Sequence, residues 1–122
     1  MAKKVLVIDD DPDVRTTLAL RLESFGYVMV WARSGADGYE KAKQWKPDLI
    51  FLDFSMPEES GLEVLKKIKT ETPAMVHKIP VIMLTGREEF EKDCLDAGAA
   101  GYITKPFDLF QLKETLSKFI PK

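Results

Sequence analysis

The chain has 122 residues, enough for one domain with a substantial core and too few for two ordinary ones. With 45% hydrophobic and 31% charged residues it has a globular composition, and a net charge of -2 lacks the basic excess of a nucleic-acid-binding surface. The single Cys94 cannot form an internal disulfide, no apolar run approaches the ~18 residues of a membrane span, and Met1-Ala2-Lys3-Lys4 leads into a short strand instead of a signal-peptide core. One cytoplasmic domain over residues 1–122 is expected, with no membrane and no direct nucleic-acid contact.

Val5 to Ile8 is an apolar strand without alternation, as expected of a strand buried on both faces, and it runs into Asp9-Asp10-Asp11. Asp11 before Pro12 reads as an N-cap. Val14, Leu18, Leu22 and Phe25 follow at helical spacing up to Gly26. Tyr27 to Trp31 is a second strand, and Ser34 caps a helix running to about Trp45, broken by Lys46-Pro47. Asp48 to Asp53 is the third strand, a buried run that finishes on a charge. Ser60 and Glu63 form a capping box for a helix bearing Leu62, Leu65 and Ile68. Thr70 to Lys78 contains Pro73 and reads as a loop. Pro80 to Leu84 is the fourth strand, ending on Thr85-Gly86, and a helix spans about Glu88 to Asp96, closed by Gly98. Gly101 to Thr104 is the last strand, ending on Lys105-Pro106. Asp108 and Gln111 make a box-like cap for a helix through Leu109, Leu112, Leu116 and Phe119.

Strand and helix thus alternate five times. This predicts an α/β fold: a single doubly wound five-stranded parallel sheet, flavodoxin-like, in the order 2-1-3-4-5, with five helices on both faces. That order gathers Asp9, Asp10, Asp53, Thr85 and Lys105 at the carboxyl edge of the sheet, where open α/β sheets bind ligands.

Three carboxylates this close repel one another, and a hard divalent cation resolves the conflict. With no Cys or His placed to help, Mg²⁺ suits the set better than zinc, with Mn²⁺ as an alternative ion. Taken alone, Asp9 to Asp13 reads equally well as an acidic helix start. Likewise Thr85-Gly86-Arg87-Glu88 reads as a helix cap, and Lys105 as a solvated residue before a proline. Together, a metal, a carboxylate, an ammonium and a hydroxyl are the parts of a phosphoryl-transfer site. The chain has no phosphate-cradling glycine-rich loop, so a nucleotide is not the expected ligand. The carboxylate itself is a candidate acceptor, through an acyl phosphate.

Val5-Leu6-Val7-Ile8-Asp9-Asp10-Asp11, Leu52-Asp53 with Met56-Pro57, Leu84-Thr85-Gly86 and Gly101-Tyr102-Ile103-Thr104-Lys105-Pro106-Phe107 resemble the receiver domain of two-component response regulators, over nearly the whole chain. The resemblance implies that Asp53 is the phosphoacceptor. Asp10, Asp53 and the Ser55 backbone carbonyl would hold Mg²⁺, with Asp9 acting partly through water. Lys105 would neutralise the phosphoryl charge, Thr85 with Gly86 would bind a phosphoryl oxygen, and Tyr102 would be the aromatic switch. The Lys105-Pro106 bond would be cis. Ser55 and Arg87 would flank the path of attacking water and tune the phosphoryl lifetime.

The implied partners are a sensor histidine kinase or phosphotransfer protein, and a downstream effector or missing output domain. That partner would read the face made by the fourth helix, fifth strand and fifth helix. The protein would be a monomer or a phosphorylation-dependent dimer. Two departures stand out: Ser60-Gly61 where the family often has Asp-Gly, and a segment from Thr85 to Tyr102 about two residues shorter than is common. An alternative is an aspartyl phosphatase of the haloacid-dehalogenase kind. Those enzymes need a second acid two residues after the nucleophile, and Ser55 cannot serve at neutral pH, so a turnover enzyme is not expected. His77 and Glu58-Glu59 read as solvated loop residues, Cys94 as packed, and Trp31 and Trp45 as packing or rim residues.

Overall fold

A computed structural model describes residues 2–86 and 88–121. Strands β1 (Lys4–Ile8), β2 (Val28–Ala32), β3 (Leu49–Asp53), β4 (Val81–Thr85) and β5 (Gly101–Thr104) form one parallel sheet in the order β2-β1-β3-β4-β5. The helices are α1 (Pro12–Ser24), α2 (Gly35–Trp45), α3 (Gly61–Thr70), α4 (Ala74–His77), α5 (Glu91–Asp96) and α6 (Leu109–Phe119), with a 3-10 turn over Glu88–Phe90. The sheet order and its covering on both faces are those expected.

The unbroken apolar runs divide strictly by pleat. Leu6, Ile8, Ile50, Leu52, Val81 and Met83 pack with Ala42, Val64, Leu65, Ile68 and Cys94. Their strand neighbours Val5, Val7, Leu49, Phe51, Ile82 and Leu84 pack with Leu18, Leu22, Leu112 and Leu116. Each strand therefore contributes to two cores at once, which is why its sequence lacks alternation.

The helix starts follow from local chemistry. Asp11, Ser34, Ser60 and Asp108 accept backbone N–H bonds from Asp13 (2.9 Å), Asp37 (3.2 Å), Glu63 (3.2 Å) and Phe110 (2.9 Å). At α3 the Ser60 hydroxyl also donates to the Glu63 carboxylate at 3.3 Å. Gly61 opens α3 directly against the end of β3: a Cβ there would lie 2.1 Å from the Asp53 carbonyl oxygen and 2.7 Å from the Phe54 Cα. Only glycine allows that approach. Gly98, at φ +107°, follows the end of α5.

Three expectations are corrected. The stretch 70–78 is not all loop, because α4 forms one turn within it, giving six helices among the described residues instead of five. Pro73 immediately precedes that turn, where its missing N–H costs nothing, and the Lys69 ammonium donates to the His77 and Ile79 carbonyls at 2.8 and 2.9 Å. His77 lies in this turn and is half-buried; its Nε2 has no hydrogen-bond partner among the described residues. The helix expected from about Glu88 begins as the 3-10 turn and becomes α-helical only at Glu91. Arg87 lies outside the described residues.

Candidate functional site

Four strands deliver their polar ends to one place. Asp9 follows β1 and is fully buried, Asp53 closes β3 at 5% exposure, Thr85 closes β4 at 2%, and Lys105 follows β5 across a cis peptide to Pro106. Asp10 is exposed. One carboxylate oxygen from each of Asp9, Asp10 and Asp53 lies within 4.8 Å of the others. Asp10, Asp11, Pro12, Asp53, Ser55, Gly86 and Lys105 line an open cavity of about 480 Å³. A Cβ on Gly86 would meet nothing within 4 Å.

The Lys105 ammonium sits between two of the acids, 3.1 Å from Asp9 Oδ2 and 3.1 Å from Asp53 Oδ1. Its backbone N–H donates to the Thr85 carbonyl at 2.8 Å, locking the end of β5 to the end of β4. Burial pulls the Lys105 pKa down, but Asp53 and Asp9 overcome this and the net shift is upward. Asp53 is pushed up to about 6, first by burial and then by the Asp9 charge, while Lys105 and the Ser55 N–H pull the other way. One ammonium does not balance the acids here.

The donor set fits a hard cation. It is all oxygen, without Cys or His. Asp9 has both oxygens engaged, Oδ1 by the Asp11 N–H at 2.9 Å and Oδ2 by Lys105, which suits a role through water. Among the described residues no hydrogen bond is made to the Asp10 carboxylate or to Asp53 Oδ2, while Asp53 Oδ1 accepts from Lys105 and from the Ser55 N–H at 3.2 Å.

Tyr102 lies half-buried on β5, against the core shared by Met83 and Cys94. It pairs with Met83 in register, and two residues on Thr104 pairs with Thr85. Tyr102 and Thr85 therefore share one face of the sheet. Tyr102 also lines a groove of about 340 Å³ with Leu95, Gln111, Thr115 and Phe119, between α5 and α6.

Several neighbours of the site were not legible. Glu59 is not solvated as expected: it pairs with Lys67 and accepts a long 3.5 Å bond from the Tyr39 hydroxyl, tying the loop after β3 to α2 and α3. Phe54, next to the acceptor candidate, stacks on Phe90 with ring centroids 4.7 Å apart. The Trp31 indole donates to the Asp9 backbone carbonyl at 2.7 Å. Apart from the Glu59–Lys67 pair, each of these contacts joins residues 20 or more positions apart, and no local spacing signals it.

The family model described as the response regulator receiver domain matches residues 5–117. The alkaline phosphatase synthesis transcriptional regulatory protein PhoP of Bacillus subtilis is 41% identical over 88% of this chain and 44% of its own length. The phosphate regulon transcriptional regulatory protein PhoB of Escherichia coli is 38% identical over 88% and 47%. The chain thus spans less than half the length of these curated relatives. Among solved structures, the chemotaxis protein CheY4 of Vibrio cholerae superposes with a TM-score of 0.90 at 29% identity, over 98% of this chain and 100% of that one. The receiver domain of the sensor histidine kinase PA1611 of Pseudomonas aeruginosa, with a magnesium ion in its active-site cleft, gives 0.88 at 25% identity over the full length of both.

Proposed function

The chain belongs to the response regulator receiver family of two-component signalling, and on that premise we propose that Asp53 is its phosphoacceptor, loaded from the phosphohistidine of a sensor kinase or phosphotransfer protein. The observation that carries this reading is the geometry around Asp53. It is a buried carboxylate with one oxygen held by Lys105 and Ser55 and the other without a hydrogen bond among the described residues, beside two further acids.

In the transfer, Asp53 Oδ2 attacks phosphorus, the new O–P bond forms, the N–P bond to the donor imidazole breaks, and the imidazole nitrogen keeps the electron pair. Asp10, Asp53 and the Ser55 carbonyl would hold Mg²⁺, with Asp9 through water; when bound, the ion supplies charge neutralisation for the phosphoryl oxygens and the carboxylates. Asp53 loses its own charge on acylation, so the Lys105 ammonium 3.1 Å away turns to the phosphoryl oxygens. Thr85, with Gly86 opening the cavity beside it, donates its hydroxyl to a phosphoryl oxygen.

Residues 1–122 form one receiver domain that works as a switch, without turnover of external substrates, since Ser55 offers no acid two positions beyond Asp53. The α5–β5–α6 face addresses an effector or output domain, as a monomer or a phosphorylation-dependent dimer in the cytoplasm. Nucleic acid is not contacted by this domain. Among the described residues no helix is long and apolar enough to cross a membrane. Arg87, with Ser55, tunes the lifetime of the acyl phosphate, and Arg87→Ala shortens it.

The test is incubation with Mg²⁺ and acetyl phosphate, read by intact mass and peptide mapping. One added phosphoryl group, on Asp53, is expected in the wild type and none in Asp53→Asn. Undiminished phosphorylation of the variant would reject the assignment.

A further inference from the structure

The strand pairing of β1 with β2 ends where the Asp9 N–H donates to the Ala32 carbonyl at 3.0 Å. The Asp9 carbonyl is taken by a side chain instead, the Trp31 indole N–H at 2.7 Å. That carbonyl belongs to the peptide unit joining Asp9 to Asp10, so holding its plane holds the Asp10 N and Cα, the root from which the side chain reaches the site. Asp10 is the acid that most needs this. It is exposed, and its carboxylate accepts no hydrogen bond among the described residues, whereas Asp9 and Asp53 are held by Lys105.

The indole is itself held. It is half-buried, the Arg15 guanidinium lies 4.3 Å from its ring centre, and Arg33 lies 5.8 Å away. The Trp31 carbonyl accepts from the Lys41 ammonium, which also pairs with Asp37 at 3.2 Å. We propose that Trp31 is a positioning residue for the metal-binding acids, acting through its indole N–H on the Asp9–Asp10 peptide. This rests on the reading of Asp9, Asp10 and Asp53 as the Mg²⁺ site.

The chain has two tryptophans, and Trp45 lies at the far edge of the sheet, exposed beside Lys4. Trp45→Phe therefore leaves Trp31 as the sole indole without touching the site. In that protein Mg²⁺ alone is expected to change the Trp31 emission, and the change is expected to vanish when Asp10→Ala is added. Trp31→Phe keeps a ring beneath Arg15 and removes the N–H. By calorimetry its Mg²⁺ dissociation constant is expected to rise about tenfold, the scale of losing an outer-shell partner. Its initial rate of phosphorylation by acetyl phosphate is expected to return to the wild-type value at saturating Mg²⁺, which a general disturbance of the fold would not permit.

Wild-type Mg²⁺ affinity in Trp31→Phe, or a rate deficit that persists at saturation, would overturn the proposal. So would an emission of Trp31 that ignores Mg²⁺; that measurement alone decides the matter if Trp31→Phe fails to fold. Asp10→Ala separates the two levels. If it binds Mg²⁺ as the wild type does, the metal-site reading fails. If it loses Mg²⁺ while Trp31→Phe keeps it, only the positioning role fails.

Discussion

At the amino edge of the sheet, Asp48 accepts the Lys4 backbone N–H at 2.8 Å, and the Lys4 ammonium reaches the Trp45 carbonyl at 3.4 Å. At the carboxyl edge, three carboxylates cluster and one ammonium reaches two of them. The same strands begin at the first edge and end at the second, so the backbone geometry is shared and the difference lies in the charge balance. A carboxylate matched to its donor fastens the start of β1 to the start of β3. An excess of carboxylates holds the fold in a state that a cation can relieve. Structural and functional acids can be told apart here by whether their partners suffice.

The contrast breaks most sharply at Asp10. Asp10→Ala is expected to weaken Mg²⁺ binding by at least about 100-fold, the upper end of what loss of an outer partner costs, and to reduce phosphorylation in step. Without Mg²⁺ its melting temperature should rise, because one of the mutually repelling acids has gone. Calorimetric titration and thermal melts of the same samples give both readings. A variant that loses Mg²⁺ affinity but also melts earlier would show that the acids are not in conflict.

The next effect is on pH. The Asp53 pKa is raised from 3.8 to about 6 in the folded state, so between these values the folded protein holds a proton that the unfolded chain has released. Stability from this group is therefore greatest below about pH 4 and is lost as pH rises through about 6, a cost of about 1–3 kcal/mol at pH 7. Urea unfolding from pH 4 to pH 7 without Mg²⁺ should show that loss, and Asp53→Asn should flatten it. Saturating Mg²⁺ should offset it at pH 7, because the ion binds only the folded state. Asp48 provides the control. Asp48→Ala removes the acceptor for the Lys4 N–H, costs about 1 kcal/mol at neutral pH, and leaves phosphorylation unchanged.

What could be read from the chain divides along the same line. Asp53 announced itself because a fully apolar strand ended on a charge, and Asp11, Ser34 and Ser60 announced helix starts because a cap acts on residues two or three positions away. The sheet order followed from alternation and handed crossovers, and that order alone brought Asp9, Asp53, Thr85 and Lys105 together. Glu59, Trp31 and the Phe54–Phe90 pair were opaque because their roles depend on partners that only the folded chain brings near. α4 was opaque for a different reason. Pro73 is a helix breaker and a helix-starting residue alike, and the choice is made by Lys69 reaching the carbonyls at the end of the turn.

The smallest expected effect concerns how the excess charge at the carboxyl edge is reported elsewhere. A phosphoryl group on Asp53 adds acceptor oxygens next to Thr85. Thr85 and Tyr102 share one face of the sheet, one pleat apart, so a movement of Thr85 toward the phosphoryl group changes the space available to the tyrosine ring. That ring is half-buried beside the groove between α5 and α6, so a shift in its burial alters the surface a partner would meet. A second route is also present, since the Phe54 ring beside Asp53 stacks on Phe90 at the start of α5. The two routes predict different footprints. Tyr102→Ala is expected to keep Asp53 phosphorylation and to reduce amide shift changes at Lys105 to Gln111 when a phosphoryl mimic is added. Changes at Glu91 to Asp96, which the Phe54–Phe90 pair reaches directly, should persist. The energy involved is only a few kcal/mol between states, so the changes should be partial. If both segments respond in Tyr102→Ala as they do in the wild type, the tyrosine is not a relay and the stacked phenylalanines carry the signal alone.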